Sequence, residues 1–271
     1  MPVTDPASNP HILVFDSGVG GLSIFQEIQK RLPFANLVYA SDNAFFPYGT
    51  KGESELIARV SSVLQQILAV HPVDIMVIAC NTASTLTLPY IRSHFPQPVV
   101  GVVPAIKPAA ALSQSQVIGL LATPATVARP YTRELIAEHA PHAEIISVGS
   151  SELVQLAEHK LRGGSVDPEH LHSLLQPFFS HSRSADMDTL VLACTHFPLL
   201  REELAAQFPD VQLIDSGAAI ARRVASLLEE HDFSQQAPQH WAVFTADSPS
   251  VAALRPQLLQ FDIQQIDIIA V

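Results

Sequence analysis

Cysteine is almost absent from this chain of 271 residues. Two occur, Cys80 and Cys194, far apart and in no CxxC pair. A disulfide scaffold is excluded, and so is a zinc or iron–sulfur centre built from thiolates, so no metal is expected. Basic residues are scarce as well: 15 Lys and Arg stand against 26 Asp and Glu, a formal net charge of −11. That field repels phosphate backbones, no basic cluster offsets it, and nucleic acid is not an expected partner. No apolar run is long and charge-free enough to span a bilayer, and the opening MPVTDPASNP has no basic region followed by an apolar stretch. The expected setting is therefore the cytoplasm, off the membrane, where both thiols stay reduced. Apolar residues are plentiful, at 48%, enough for a sizeable core in one large α/β domain or two smaller ones.

Short β-branched runs alternate with amphipathic stretches: 11–15, 36–40, 73–79, 98–103, 116–122, 143–148, 188–193, 211–214, 241–245 and 265–270. Such alternation predicts parallel sheets with helical crossovers. Leu56, Ile57, Val60, Val63, Leu64, Ile67 and Leu68 recur at helical spacing, as a crossover helix requires. A long-range echo accompanies this pattern. VIACNT (77–82) resembles VLACTH (191–196), and ILVFDSG (12–18) pairs with IGLLATP (118–124). From Asp16 to Cys80 is 64 residues, and from Thr123 to Cys194 is 71. Two related lobes, each presenting a thiol at its strand ends, could face one another across a cleft.

A single cysteine after an apolar strand is ordinarily a small buried hydrophobe. Two in matching strands, each expected to precede a helix start, point instead to reactive thiols, because a helix N-terminus favours the thiolate. Asn81 and Thr82 follow the first thiol, and Thr195 and His196 the second; these are polar groups at ligand-facing strand ends. FDSGVGGLS (15–23) could bring backbone amides to an anion, or Asp16 and Ser17 could simply form an Asx-type turn and cap the helix. It fails as a dinucleotide fingerprint, since Ser23 stands where the third glycine belongs. PYG (47–49) reads as a tight turn, although Tyr48 and Gly49 could offer backbone N–H groups to a carboxylate. His196 suits a general acid/base partner for Cys194, and Glu158 would ordinarily be a solvated helix face.

Taken together, FDSGVGGLS, PYG with the preceding Asp42, ACNTAS (79–84), GVVPAIKPA (101–109), GLLATPATV (119–127) and CTHFPLL (194–200) resemble the glutamate racemases of the aspartate/glutamate racemase family. The resemblance runs over roughly residues 11 to 223. It implies two parallel-sheet α/β lobes related by pseudo-twofold symmetry, with the active site in the cleft between them. Residues 1–103 would form the first lobe, 104–215 the second, and 216–271 a return segment completing the first. It further implies no pyridoxal phosphate or other cofactor, Cys80 and Cys194 as the two acid/base groups, and Asp16, His196 and Glu158 as their assistants. Substrate contacts carry onto Asp16, Ser17, Tyr48, Gly49, Asn81, Thr82, Thr123, Thr126, Thr195 and His196. The chain departs from the family at LVQLAEHK, where LVPLVEEG is usual, at Ala193, more often Gly, and at Phe197, often Tyr.

The implied activity is interconversion of L- and D-glutamate, with Cys194 taking the proton from the L form and Cys80 from the D form. The D-glutamate would feed peptidoglycan synthesis. A racemase of the same architecture acting on aspartate or a hydantoin, and a regulatory amino-acid-binding protein without turnover, remain alternatives. A homodimer, activation by a cell-wall precursor and a second role in gyrase inhibition are left open by the sequence.

Overall fold

The computed structural model describes residues 9–229 and 236–271, so most of the opening MPVTDPASNP lies outside the described residues. The chain forms two compact units: residues 9–102 together with the described part of 217–271, and Val103–Ser216. The first unit begins with β1 (His11–Asp16), α1 (Leu22–Arg31), β2 (Asn36–Ser41), α2 (Glu53–Val70), β3 (Ile75–Ile78), α3 (Asn81–His94) and β4 (Val99–Gly101). The second unit holds α4 (Ile106–Leu112), β5 (Val117–Ala122), α5 (Pro124–Ala128), α6 (Pro130–His139), β6 (Glu144–Gly149), α7 (Glu152–Leu161), α8 (Pro168–Phe179), β7 (Thr189–Leu192), α9 (Arg201–Gln207) and β8 (Gln212–Ile214). The chain then returns to the first unit with α10 (Gly217–Ser226), β9 (His240–Phe244), α11 (Pro249–Gln260) and β10 (Ile263–Ile268).

Every apolar run named above forms a strand, and every strand pair is parallel. The first sheet has the order β10-β9-β2-β1-β3-β4 and the second β6-β5-β7-β8. In each, the first strand in sequence lies between the second and third. Ligands of such sheets bind outside the carboxyl ends of the strands, where the order reverses about the first strand. The internal echo therefore has a topological meaning: β1 corresponds to β5 and β3 to β7, and the thiols follow β3 and β7.

Burial explains the elements. β1, β3, β5 and β7 are sheet-interior strands covered by helices, and their residues are buried almost throughout. In α2 the predicted stripe faces inward through Leu56, Val60, Val63, Leu64 and Ile67, joining a core of Leu13, Phe15, Val38 and Ile78. The second core gathers Ile106, Ala109, Ile118, Leu120 and Val191. The last strand differs from expectation. It spans Ile263–Ile268 rather than 265–270, because Ile263 is the buried anchor while Gln264 and Gln265 face outward at the sheet edge.

Candidate active site

In the first unit, β1 ends at Asp16, which is fully buried. Its Oδ1 accepts from the Ser17 amide at 2.5 Å, from the Gly18 amide at 3.4 Å and from the Ser17 hydroxyl at 3.3 Å. The Asx-type turn is present, but Asp16 does not cap α1, whose N-cap is Gly21. Gly21 is required for another reason: a Cβ there would lie 2.9 Å from Asp16 Cβ and 3.2 Å from Asp16 Oδ2. Helix α1 can start this close to the carboxylate only without a side chain.

Cys80 is the N-cap of α3, in extended conformation, and is 7% exposed. The first-turn amides and positive end of this long helix lie beside it, a setting that stabilises a thiolate. Ser17 Oγ lies 3.8 Å from Cys80 Sγ, so Asp16, Ser17 and Cys80 form one chain of polar contacts. Ser84 fixes the helix start: its hydroxyl donates to the Ile78 carbonyl at 2.7 Å and accepts from the Val102 amide at 2.9 Å. Asn81 and Thr82 occupy the buried first turn of α3.

Tyr48 and Gly49 form a single 3-10 turn with Thr50. The Tyr48 ring belongs to the core around Phe15 and Cys80, and its hydroxyl donates to Asp42 Oδ2 at 2.7 Å. Burial, together with the charge and hydrogen bond of Asp42, pushes the Tyr48 phenol far above its ordinary range, so it remains a donor. Asp42 is itself fully buried and also bonded by Arg59, at 2.9 and 2.7 Å, and by Thr245 Oγ1 at 2.7 Å.

In the second unit the setting of the thiol differs. No α-helix starts at Cys194. The strand end is followed by a turn, in which the Phe197 amide bonds the Cys194 carbonyl at 3.0 Å, and by a 3-10 segment Phe197–Leu200 before α9. The expectation that both thiols precede α-helix starts holds for Cys80 alone. Pro198, at the head of the 3-10 segment, supplies no N–H for a cap.

The partners of Cys194 are side chains instead. Cys194 Sγ is 3.8 Å from His196 Nδ1, and His196 Nε2 is 2.7 Å from Glu158 Oε1. Glu158 comes from α7 and is 6% exposed, so it is not the solvated helix face that its sequence suggested. Burial works to lower the His196 pKa, but hydrogen bonds with Cys194 and Glu158 and the charge of Glu158 outweigh it, and His196 stands well above its ordinary value. Thr195 is buried beside them. Thr123 caps α5, its hydroxyl 3.0 Å from that of Thr126 and accepting the Thr126 amide at 3.3 Å.

Three supporting side chains left no mark in the sequence pattern that was read. Arg162 Nη1 bonds Glu158 Oε2 and, at 2.8 Å, the Glu158 carbonyl. The i,i+4 spacing of an acid and a base on a helix could have suggested it. Arg59 and Thr245 gave no such signal, being remote in sequence from Asp42.

Residues 12–224 match the Asp/Glu/Hydantoin racemase family. The chain belongs to that family. It is 49% identical over 262 residues to the glutamate racemase of Pectobacterium carotovorum subsp. carotovorum, with 96% of this chain and 91% of that protein covered. Among solved structures it is similar to Escherichia coli glutamate racemase in complex with L-glutamate and the activator UDP-MurNAc-Ala (46% identity, TM-score 0.92, 97% of this chain and 99% of that one). It is also similar to the Francisella tularensis glutamate racemase in complex with D-glutamate, at 25% identity and TM-score 0.78, covering 97% and 98%.

Proposed function

We propose that this racemase-family chain interconverts L- and D-glutamate, with Cys80 and Cys194 as the two acid/base groups and no electron-sink cofactor. The observation that carries the reading is a buried thiol at the same strand position in each of two like sheets, each with a polar side-chain partner within 3.8 Å. The choice of glutamate is supported by full-length relatives of that activity, one solved with L-glutamate.

Racemisation removes a weakly acidic Cα proton from one face and returns a proton to the other. It therefore needs a base and an acid on opposite sides of one carbon. We assign Cys80 and Cys194 to these two roles. Cys194 takes the proton from L-glutamate: an imidazolium at His196, anchored by Glu158, presents Nδ1–H to a thiolate sulfur. Cys80 then delivers its proton, and the Ser17 hydroxyl and the α3 N-terminus stabilise the thiolate that remains. For D-glutamate the roles reverse. The α-carboxylate gathers charge in the carbanion, and backbone amides near Tyr48 and Gly49 and at the start of α3 are donors for it, joined by the hydroxyls of Ser17, Thr82, Thr123, Thr126 and Thr195 and the amide of Asn81. Exclusion of water strengthens each of these bonds.

No described helix is long and apolar enough to cross a membrane. A cytoplasmic enzyme supplying D-glutamate for peptidoglycan fits the bacterial relatives. The E. coli structure holds the activator UDP-MurNAc-Ala, and we extend a like response to this chain. A hollow of about 530 Å³ in the first unit, flanked by Arg92 and Arg223 and lined by Phe95, Val99, Gly101 and Ile220, offers guanidinium groups to a diphosphate.

The deciding experiment is a chiral assay of purified protein, without added cofactor, in deuterium oxide. L-glutamate should yield D-glutamate carrying solvent deuterium at Cα from the first turnovers, because a thiol holds a single proton. L-aspartate and a hydantoin should turn over poorly. Turnover of either in preference to glutamate would reassign the substrate, and product retaining its original hydrogen would sink the two-thiol assignment.

A further inference from the structure

We propose that Arg162 is a positioning residue for the second thiol, fixing Glu158 so that Glu158 turns His196 Nδ1 toward Cys194. This rests on the reading of Cys194 as an acid/base group. The carboxylate torsion of a glutamate is broad, so packing of α7 alone does not set the plane in which Glu158 Oε1 meets the ring. Arg162 sets it. Its Nη1 bonds Glu158 Oε2 and also the Glu158 carbonyl at 2.8 Å, tying the carboxylate to the backbone of its own helix. Oε1 is then held 2.7 Å from His196 Nε2, and the remaining ring nitrogen lies 3.8 Å from Cys194 Sγ. For a histidine that works through one nitrogen, the partner on the other decides tautomer and aim.

Charge points the same way. Arg162, Glu158, His196 and Cys194 form a row whose signs alternate when His196 is imidazolium and Cys194 is thiolate, and the row is then neutral. Three of its members are buried, with Glu158 6%, His196 3% and Cys194 8% exposed. Without the guanidinium the row would carry a net negative charge in its reactive state, and burial makes that state costly.

The test is Arg162→Met, with Arg162→Lys as the partner variant that keeps the cation but loses the planar guanidinium. The two enantiomers have equal free energy in water, so kcat/KM must fall by the same factor in both directions. The expected fall is about tenfold to a hundredfold, by analogy with the loss of an outer partner from a metal-ligating histidine. The specific readout is the isotope effect on kcat/KM with glutamate deuterated at Cα. Slowing only the Cys194 step should enlarge the effect for the L substrate and shrink it for the D substrate. Arg162→Lys should show a smaller divergence and recover much of the activity. An unchanged kcat/KM, or a loss with both isotope effects unmoved, overturns the proposal and leaves Arg162 a brace for α7. If Arg162→Met fails to fold by circular dichroism, Arg162→Gln carries the same comparison. Wild-type protein without racemisation, or full activity in Cys194→Ser, removes the two-thiol reading itself and the proposal with it.

Discussion

A thiol carries one proton, and this fact governs what single substitutions should do. Cys80→Ser and Cys194→Ser each replace a sulfur by a hydroxyl far too weakly acidic to exchange that proton at neutral pH. Each should lower racemisation by at least about a thousandfold, within the range of acid–base contributions, with an unchanged circular dichroism spectrum. Appreciable turnover in either would show that its thiol is dispensable. A second residue-scale case is Arg59. It holds the fully buried Asp42, which in turn holds the Tyr48 hydroxyl. Arg59→Met leaves that carboxylate without its cation and should destabilise the chain by about 3 kcal/mol, the cost of breaking a buried pair from one side. A urea denaturation midpoint that does not move would mean that Tyr48 and Thr245 suffice to hold the charge.

At the scale of elements, close approach matters more than propensity. Gly21→Ala puts a methyl group 2.9 Å from Asp16 Cβ at the start of α1. Overpacking of this kind should cost about 1–3 kcal/mol and displace the Asp16 and Ser17 turn that reaches Cys80. Both a lower melting temperature and a lower kcat are expected, and normal values for both would show that α1 can shift freely. The strands were legible because interior strands of a parallel sheet are apolar throughout, and the pattern of β1, β3, β5 and β7 needs no tertiary knowledge. Glu158 was legible only through its family resemblance. Its local pattern is that of an exposed helix face, and its burial depends on His196, 38 positions away. The missing α-helix start after Cys194 had the same origin: CTHF reads like CNTA until the turn is seen to close on the Cys194 carbonyl. Arg59 meeting Asp42, and Thr245 meeting the same carboxylate from just beyond β9, are products of topology and leave no local trace.

For the molecule as a whole, histidines set the response to pH. Burial lowers His11, with Asp74 opposing and His71 assisting, and burial likewise lowers His240. Both bind protons less readily folded than unfolded. As pH falls below the ordinary value of 6.5, the unfolded chain therefore gains protons that the native chain refuses, and stability should drop. His196 is raised, so its contribution is complete below 6.5 and fades as pH climbs through its folded value. Urea midpoints across pH 5 to 9 should describe a maximum. Replacing His240 by Gln should flatten its acid side, and an unaltered acid limb would remove His240 as the cause.

The order of the chain carries a consequence for biosynthesis. Because β9 pairs with β2, β10 pairs with β9, and both arrive only with 217–271, the first sheet lacks two strands until that segment has been synthesised. The Val103–Ser216 unit is continuous and emerges earlier. We expect a fragment of 103–216 to fold alone, whereas 1–102 expressed without its return segment should aggregate through the bare β2 edge. Limited proteolysis of stalled nascent chains would read the sequence of events directly: protection of 103–216 should precede protection of 9–102. The opposite order would mean that four strands are enough. Between the emergence of 103–216 and the arrival of β9 and β10, a nascent chain thus holds the Cys194 thiol in a folded unit while the Cys80 thiol still waits for its sheet to be completed.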